Sequence, residues 1–207
     1  MVAGSNYLLE SGGHKVLVDC GLLQGSHYAE RRNFDPFPYD PKEIEAVFIT
    51  HAHIDHIGGA KKLKDSTGAP LYLNEQDVEL YRLMGQQAAF IGIPTPAITS
   101  VDAFLREGEE IQCGEIRASV IHTPGHTPGS VCLLVPNGQE TRLIAGDTLF
   151  RESIGRTDLW GGSYRHILRS LKEKLLALND DVIVVPGHGP LTTIGHEREF
   201  NPFLQAF

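Results

Sequence analysis

Three imidazoles and a carboxylate fall within the six residues His51-Ala52-His53-Ile54-Asp55-His56. Alternate side chains of an extended segment point the same way, so His51 and His53 converge on one point. Asp55 and His56, on the turn that follows, converge on a second point beside it. Neutral imidazoles and carboxylates are the ligands that divalent zinc, iron or manganese accept, so the chemistry expected of this cluster is metal-dependent. The residues before it, 44–50, are mostly apolar with β-branched members and read as a buried strand. The cluster therefore sits where a strand ends.

Three more segments place a ligand-type residue just past a predicted strand. The strand candidates are 116–122, 130–135, 142–145 and 181–185, separated by glycine and proline turns. The turn 122–129 carries His122 and His126, Asp147 follows the third candidate and His188 follows the last. Of the two turn histidines, His126 is taken as a ligand and His122 as structural or supporting. Strand ends that converge in this way are where active sites gather.

The rest of the chain supplies the framework. Segments 7–10 and 15–19 flank Gly12-Gly13 and read as a hairpin. A proline-rich loop spans 34–41. A helix is expected from Gly58 through Leu63, closing near 67–70, then a short strand at 71–73, then a helix capped by Asn74 and running to Leu83. Residues 164–178 carry Ile167, Leu168, Leu171 and Leu175 at amphipathic helical spacing. With no repeat and no evident linker, residues 1–207 read as one domain.

Composition narrows the class. A chain of 207 residues with 41% hydrophobic content can bury one good core. The net charge of −8 argues against a nucleic-acid partner, whose phosphates call for a basic face. Cys20, Cys113 and Cys132 are odd in number and far apart, which excludes a disulfide framework. No apolar run is long enough to cross a bilayer and no secretory signal pattern opens the chain, so the expected compartment is cytoplasmic, without membrane association.

Taken in order, His51-x-His53-x-Asp55-His56, His126, Asp147 and His188 resemble the signature of the metallo-β-lactamase superfamily, with Asp19 matching an aspartate that precedes the first loop. The resemblance implies an α/β fold, an αββα sandwich with a metal site at one edge of two sheets. It implies two divalent metal ions, zinc first, with iron or manganese as alternatives. His51, His53 and His126 would hold one, Asp55, His56 and His188 the other, with Asp147 between them. Asp19 and His122 would orient ligands from behind, while Asp55 and Asp147 would also serve catalysis.

Within that superfamily, residues 60–207 are similar to small glyoxalase II-like hydrolases, through 122–130, 146–150, 155–158, 186–193 and 197–204. The opening, at 19–25 and 34–41, resembles ribonuclease J-like RNA-processing enzymes, so the chain reads as a mosaic. The expected reaction is hydrolysis of small thioesters such as S-lactoylglutathione by a hydroxide that bridges the two ions. Arg151, Arg156 and Tyr164 are candidates for holding an anionic substrate tail. The alternatives are a mononuclear iron persulfide dioxygenase, a nuclease or phosphodiesterase, and a recombined or engineered metal-binding scaffold of little activity. Only 40 residues separate Asp147 from His188, too few for the RNA-clamping insertion of the nucleases. Nineteen follow His188, too few for the helical domain that helps glyoxalase II grip glutathione, so weak substrate affinity is expected.

Overall fold

The computed structural model describes residues 5–22 and 39–205, and these fall into two compact units. The proline-rich loop expected at 34–41 lies outside the described residues up to position 38, as does most of the nuclease-like opening segment.

The first unit is Met1–Phe104 with Cys113–Ile116. Strands β1 (Tyr7–Ser11) and β2 (His14–Val18) form the expected hairpin, with Tyr7 opposite Val18. Strands β3 (Ile44–Phe48), β4 (Leu71–Leu73) and β5 (Ala103–Phe104) then add in parallel, giving the order β1-β2-β3-β4-β5. Parallel neighbours need crossovers. Helices α1 (Ile54–Ile57) and α2 (Ala60–Thr67) serve between β3 and β4. Helices α3 (Val78–Arg82) and α4 (Met84–Ile91) serve between β4 and β5. Such strands are covered on both faces, which is why Val47, Phe48 and Ile49 are an unbroken buried run rather than an alternating one.

Several boundaries differ from the sequence expectation. The residues after His53 form the one-turn helix α1, so Asp55 and His56 are helical rather than on an open turn. The next helix begins at Ala60, after Gly58 and Gly59. Asn74 does cap, its side chain accepting from the Gln76 amide, but the turn it starts, Glu75–Asp77, is 3-10 before α3 begins. Helix α4 had no counterpart in the sequence reading. Its buried positions are Met84, Gln87 and Ala88, and one polar side chain among three breaks the apolar stripe that marks a helix.

The second unit is Leu105–Gln112 with Arg117–Phe207. Its strands are β6 (Glu110–Cys113), β7 (Ile116–His122), β8 (Val131–Asn137) and β9 (Glu140–Gly146), followed by a small hairpin of β10 (Leu149–Phe150) and β11 (Ser153–Ile154). Helix α5 (Tyr164–Ser170), capped by Ser163, runs on into a π-helical turn at Leu171–Leu175. The expected helix over 164–178 is thus α-helical only in its first half, and the Leu176 amide reaches back to Leu171 rather than to Lys172. Strands β12 (Ile183–Pro186) and β13 (Thr192–Thr193) and helix α6 (Ile194–Phe200) complete it.

The larger sheet of this unit has the order β13-β12-β9-β8-β7-β6. Only β12 and β9 pair in parallel among its registered neighbours, and that one pairing sets two strand ends side by side. Beneath it Leu143, Ala145, Ile167, Leu171, Leu175, Val184 and Ile194 form one apolar cluster. No helix among the described residues is long and apolar enough to cross a membrane.

Leu143 has no exposed surface at the centre of β9, so Leu143→Ala leaves a cavity. The expected cost is about 2–5 kcal/mol, whereas Arg142→Ala, on the neighbouring exposed position, should stay within about 0.5 kcal/mol. Urea melts of both variants check this, and equal midpoints would refute the assigned core.

Candidate metal centre

The ligand-type residues of the first unit are assembled around one carboxylate. Because β2 and β3 run parallel, their ends lie together, and the Asp19 amide donates to the Phe48 carbonyl at 2.8 Å. Asp19 adopts a left-handed φ of 63° and is wholly buried. Its Oδ1 accepts from the Thr50 amide at 2.8 Å. Its Oδ2 accepts from Ser5 Oγ at 3.0 Å, Thr50 Oγ1 at 2.9 Å and His56 Nδ1 at 2.7 Å. A carboxylate oxygen takes a proton here, so the His56 ring carries hydrogen on Nδ1 and, when neutral, its lone pair on Nε2.

The histidine rings pack on one another. His51 and His56 have centroids 3.9 Å apart, and His51 and His53 meet edge-on at 4.9 Å. The backbone between them is held by two residues that the sequence reading did not single out. Asp77 Oδ2 accepts from the Ala52 amide at 2.8 Å, and Gln87 Oε1 accepts from the Ile54 amide at 3.0 Å. Gln87 Nε2 donates back to the Ala52 carbonyl, also at 3.0 Å. The first amides of α1 have no partner within so short a helix, and Gln87 supplies one. The signal in the sequence was the pair Gln86-Gln87 within a mostly apolar helical stretch, of which only Gln87 is buried.

In the second unit, His126, Asp147 and His188 come together. The parallel β9–β12 pair sets Pro186 opposite Gly146, and the Gly187 amide donates to the Gly146 carbonyl at 2.8 Å. Asp147 and His188 follow directly. Asp147 Oδ2 lies 3.6 Å from His126 Nε2 and 3.7 Å from His188 Nε2. Those separations are too long for hydrogen bonds. They match the spacing of about 3.3 Å or a little more between donors that share one ion at bonds of about 2.0–2.2 Å.

His126 is turned by a tight loop in which the Gly125 amide bonds the Thr127 carbonyl and the Thr127 amide bonds Ser130 Oγ. Its Nδ1 donates to the Arg156 carbonyl at 2.8 Å. A carbonyl only accepts, so this ring, when neutral, also keeps its lone pair on Nε2, the tautomer a metal ligand needs. His122 is used differently, with Nε2 2.9 Å from the Pro128 carbonyl inside the same turn. Gly155 passes so close behind that a Cβ would stand 1.8 Å from the Asp147 carbonyl oxygen and 3.2 Å from His126 Cβ.

The three residues considered for substrate contact occupy varied settings. Arg156 spends its guanidinium on a bidentate pair with Asp158, both bonds 2.7 Å, while its carbonyl holds His126. That pairing draws the exposed Asp158 carboxyl down to about 2. Arg151 lies 3.9 Å from Glu152, and Tyr164 opens α5 with its ring half exposed. Cys20 is buried, and burial pushes its thiol well above the ordinary range, with the Asp19 charge adding to the effect.

The family model for the metallo-beta-lactamase superfamily matches residues 2–188. This chain belongs to that superfamily. It is a superfamily of metal-dependent hydrolases, and the ligand-type residues of each unit have the donor chemistry divalent cations take. Among similar proteins is an uncharacterised one of Mycobacterium tuberculosis, Rv2581c, 43% identical over 208 residues and covering 94% of this chain and 89% of the relative. The hydroxyacylglutathione hydrolase GloC of Haemophilus influenzae is 38% identical over 170 residues, which is 79% of this chain and 77% of the relative. The crystal structure of BLEG-1 B3 metallo-beta-lactamase overlays with a TM-score of 0.78 at 35% identity, covering 97% of this chain and 93% of that one. TTHA1623 in a di-iron-bound form gives a TM-score of 0.76 at 36% identity, covering 96% and 94%.

Gly155 offers a direct test of how tightly this part of the superfamily site is built. Gly155→Ala must push either the Asp147 backbone or His126 aside, at an expected cost of about 1–3 kcal/mol. A urea melt reads the loss, and an unchanged midpoint would rule out the close approach.

Proposed function

We propose that the protein is a dinuclear metal-dependent hydrolase of small thioesters. The observation that carries this reading is the 38% identity to hydroxyacylglutathione hydrolase GloC over 170 residues, a matched share of 79% of the chain. In this reading His51, His53 and His126 hold one cation, Asp55, His56 and His188 hold a second, and Asp147 serves both. Such a pair of cations, when bound, supplies a water acidified to near neutrality and polarises the substrate carbonyl.

The chain's own residues have separate tasks around that chemistry. Asp19 and the Arg156 carbonyl fix the His56 and His126 rings through Nδ1, so neither ring must reorganise as charge develops. Asp55, half-buried on α1, takes up a proton from the attacking water. A thiolate leaves readily, so no dedicated acid is required beside the leaving sulfur. Arg151 and Tyr164 meet the anionic tail of the substrate, and Arg156 joins them by exchanging Asp158 for a substrate carboxylate. The net charge of −8 repels a polyanion, which disfavours RNA as a substrate. A second reading, a mononuclear iron persulfide dioxygenase, draws support in the identity of the metal alone from TTHA1623, a chain 36% identical whose structure is of a di-iron-bound form.

Two measurements test the proposal. Elemental analysis of metal-supplied protein should give close to two ions per chain, with Asp147→Ala losing most of both and Asp158→Ala losing neither. One ion per chain, unchanged in His56→Ala, defeats the dinuclear assignment. Metal-loaded protein should also turn over S-lactoylglutathione faster than a lactone, a β-lactam or a phosphodiester. Oxygen uptake with glutathione persulfide on iron-loaded protein, without thioester turnover, would establish the second reading instead.

A further inference from the structure

A second cluster of metal-type side chains lies in the first unit, apart from every residue assigned above. His14 opens β2, Glu45 is the second residue of β3, and Cys113 precedes the turn that enters β7. Their ligand atoms all lie within 4.8 Å of one another. His14 Nδ1 is 2.9 Å from Glu45 Oε1, and Cys113 Sγ is 3.3 Å from Glu45 Oε2. We propose that His14, Glu45 and Cys113 form a peripheral binding site for zinc or a similar borderline divalent cation, independent of the hydrolytic reading.

The donor set is the first argument. An imidazole nitrogen, a carboxylate oxygen and a thiolate sulfur are the three donor types that zinc combines, and a thiolate selects against calcium and magnesium. Bonds of about 2.0 Å to nitrogen or oxygen and about 2.3 Å to sulfur put tetrahedral donors about 3.3–3.7 Å apart. The observed separations need only small side-chain rotations to meet that, and the half-exposed side chains of His14 and Glu45 allow them.

The second argument is that the backbone is built to bring the groups together. They come from three segments distant in sequence. The turn after Cys113 can lie against the His14 ring only because residue 114 is glycine, since a Cβ there would stand 2.0 Å from His14 Cδ2. Gly114 also holds a φ of 55°, a conformation other residues resist. On the far side of the turn Ser11 Oγ donates to Glu115 Oε2 at 3.2 Å, tying the same turn to the β1–β2 hairpin.

In the metal-lacking form the Cys113 thiol keeps its proton, with its titration pushed up to about 11 by burial and then by Glu45. Cation binding replaces that Sγ–H bond by a metal–sulfur bond, and the proton passes to solvent. The other two thiols are poor competitors, because Cys20 and Cys132 are both buried. Three protein ligands leave a further position to water, so the ion staples β2, β3 and the turn without closing the site.

Cobalt(II) reports on this site alone, because no residue assigned to the hydrolytic centre carries sulfur. Titration of the purified full chain should raise a near-ultraviolet sulfur-to-cobalt charge-transfer band, absent in Cys113→Ser and weakened at least tenfold in affinity in His14→Ala. Zinc should likewise protect Cys113 of the unmodified chain from iodoacetamide, read by mass spectrometry of its peptide, which needs no variant to fold. A wild-type titration with no such band, a band that survives Cys113→Ser, or alkylation of Cys113 unaffected by zinc would each overturn the proposal. None of these outcomes depends on whether thioesters are hydrolysed or on how many ions the other centre holds.

Discussion

A carboxylate with no exposed surface must receive hydrogen bonds from the protein in place of those from water, and it is costly to bury otherwise. Asp19 meets that demand with donors from Ser5, from both the amide and hydroxyl of Thr50, and from His56. The three donor residues belong to different stretches of the first unit, so satisfying one side chain ties three backbone segments to the end of β2. The end of β2, the end of β3 and helix α1 are thereby locked before any cation is considered. Removing the carboxylate would leave several buried donors unmet at once, which costs more than any single bond it makes.

The second unit reaches a comparable rigidity by different means. Among the described residues no wholly buried carboxylate bonds to His126, Asp147 or His188 as Asp19 does to His56. Instead the parallel β9–β12 pair delivers two of them side by side, and a loop stiffened by its own hydroxyls turns the third toward them. Thr123 and Thr148 share a further bond of 2.9 Å beneath that loop. Gly155 completes the packing by leaving no room for a side chain. Polar satisfaction governs one half and close backbone contact the other.

Much of this was legible in the sequence, and the exceptions share a cause. The histidine cluster, Asp147 and His188 stood out because ligand chemistry and strand-end position coincide there. The hairpin, β3, β4 and β7–β9 followed from short apolar runs broken by glycine and proline. Helix α4 escaped because its buried face is partly polar, and the functional meaning of Gln87 and Asp77 escaped with it, since each bonds to a backbone more than twenty residues away. The π-helical turn after α5 was equally hidden, because Leu171 and Leu175 are spaced as an ordinary helix requires. Local pattern carries element type and ligand identity. It carries little about which amide a distant side chain will serve.

Arg156 divides its two chemical faculties between two neighbours, its carbonyl holding the His126 ring and its guanidinium lying at the surface with Asp158. Every amino acid possesses the first faculty, whereas only arginine brings the second. Position 156 can therefore be rewritten by mutation without disturbing the imidazole it steadies. A substitution there changes the charge beside Asp158 and leaves the acceptor of the His126 Nδ1–H in place. The surface charge at this position is thus separable from the orientation of the ring behind it.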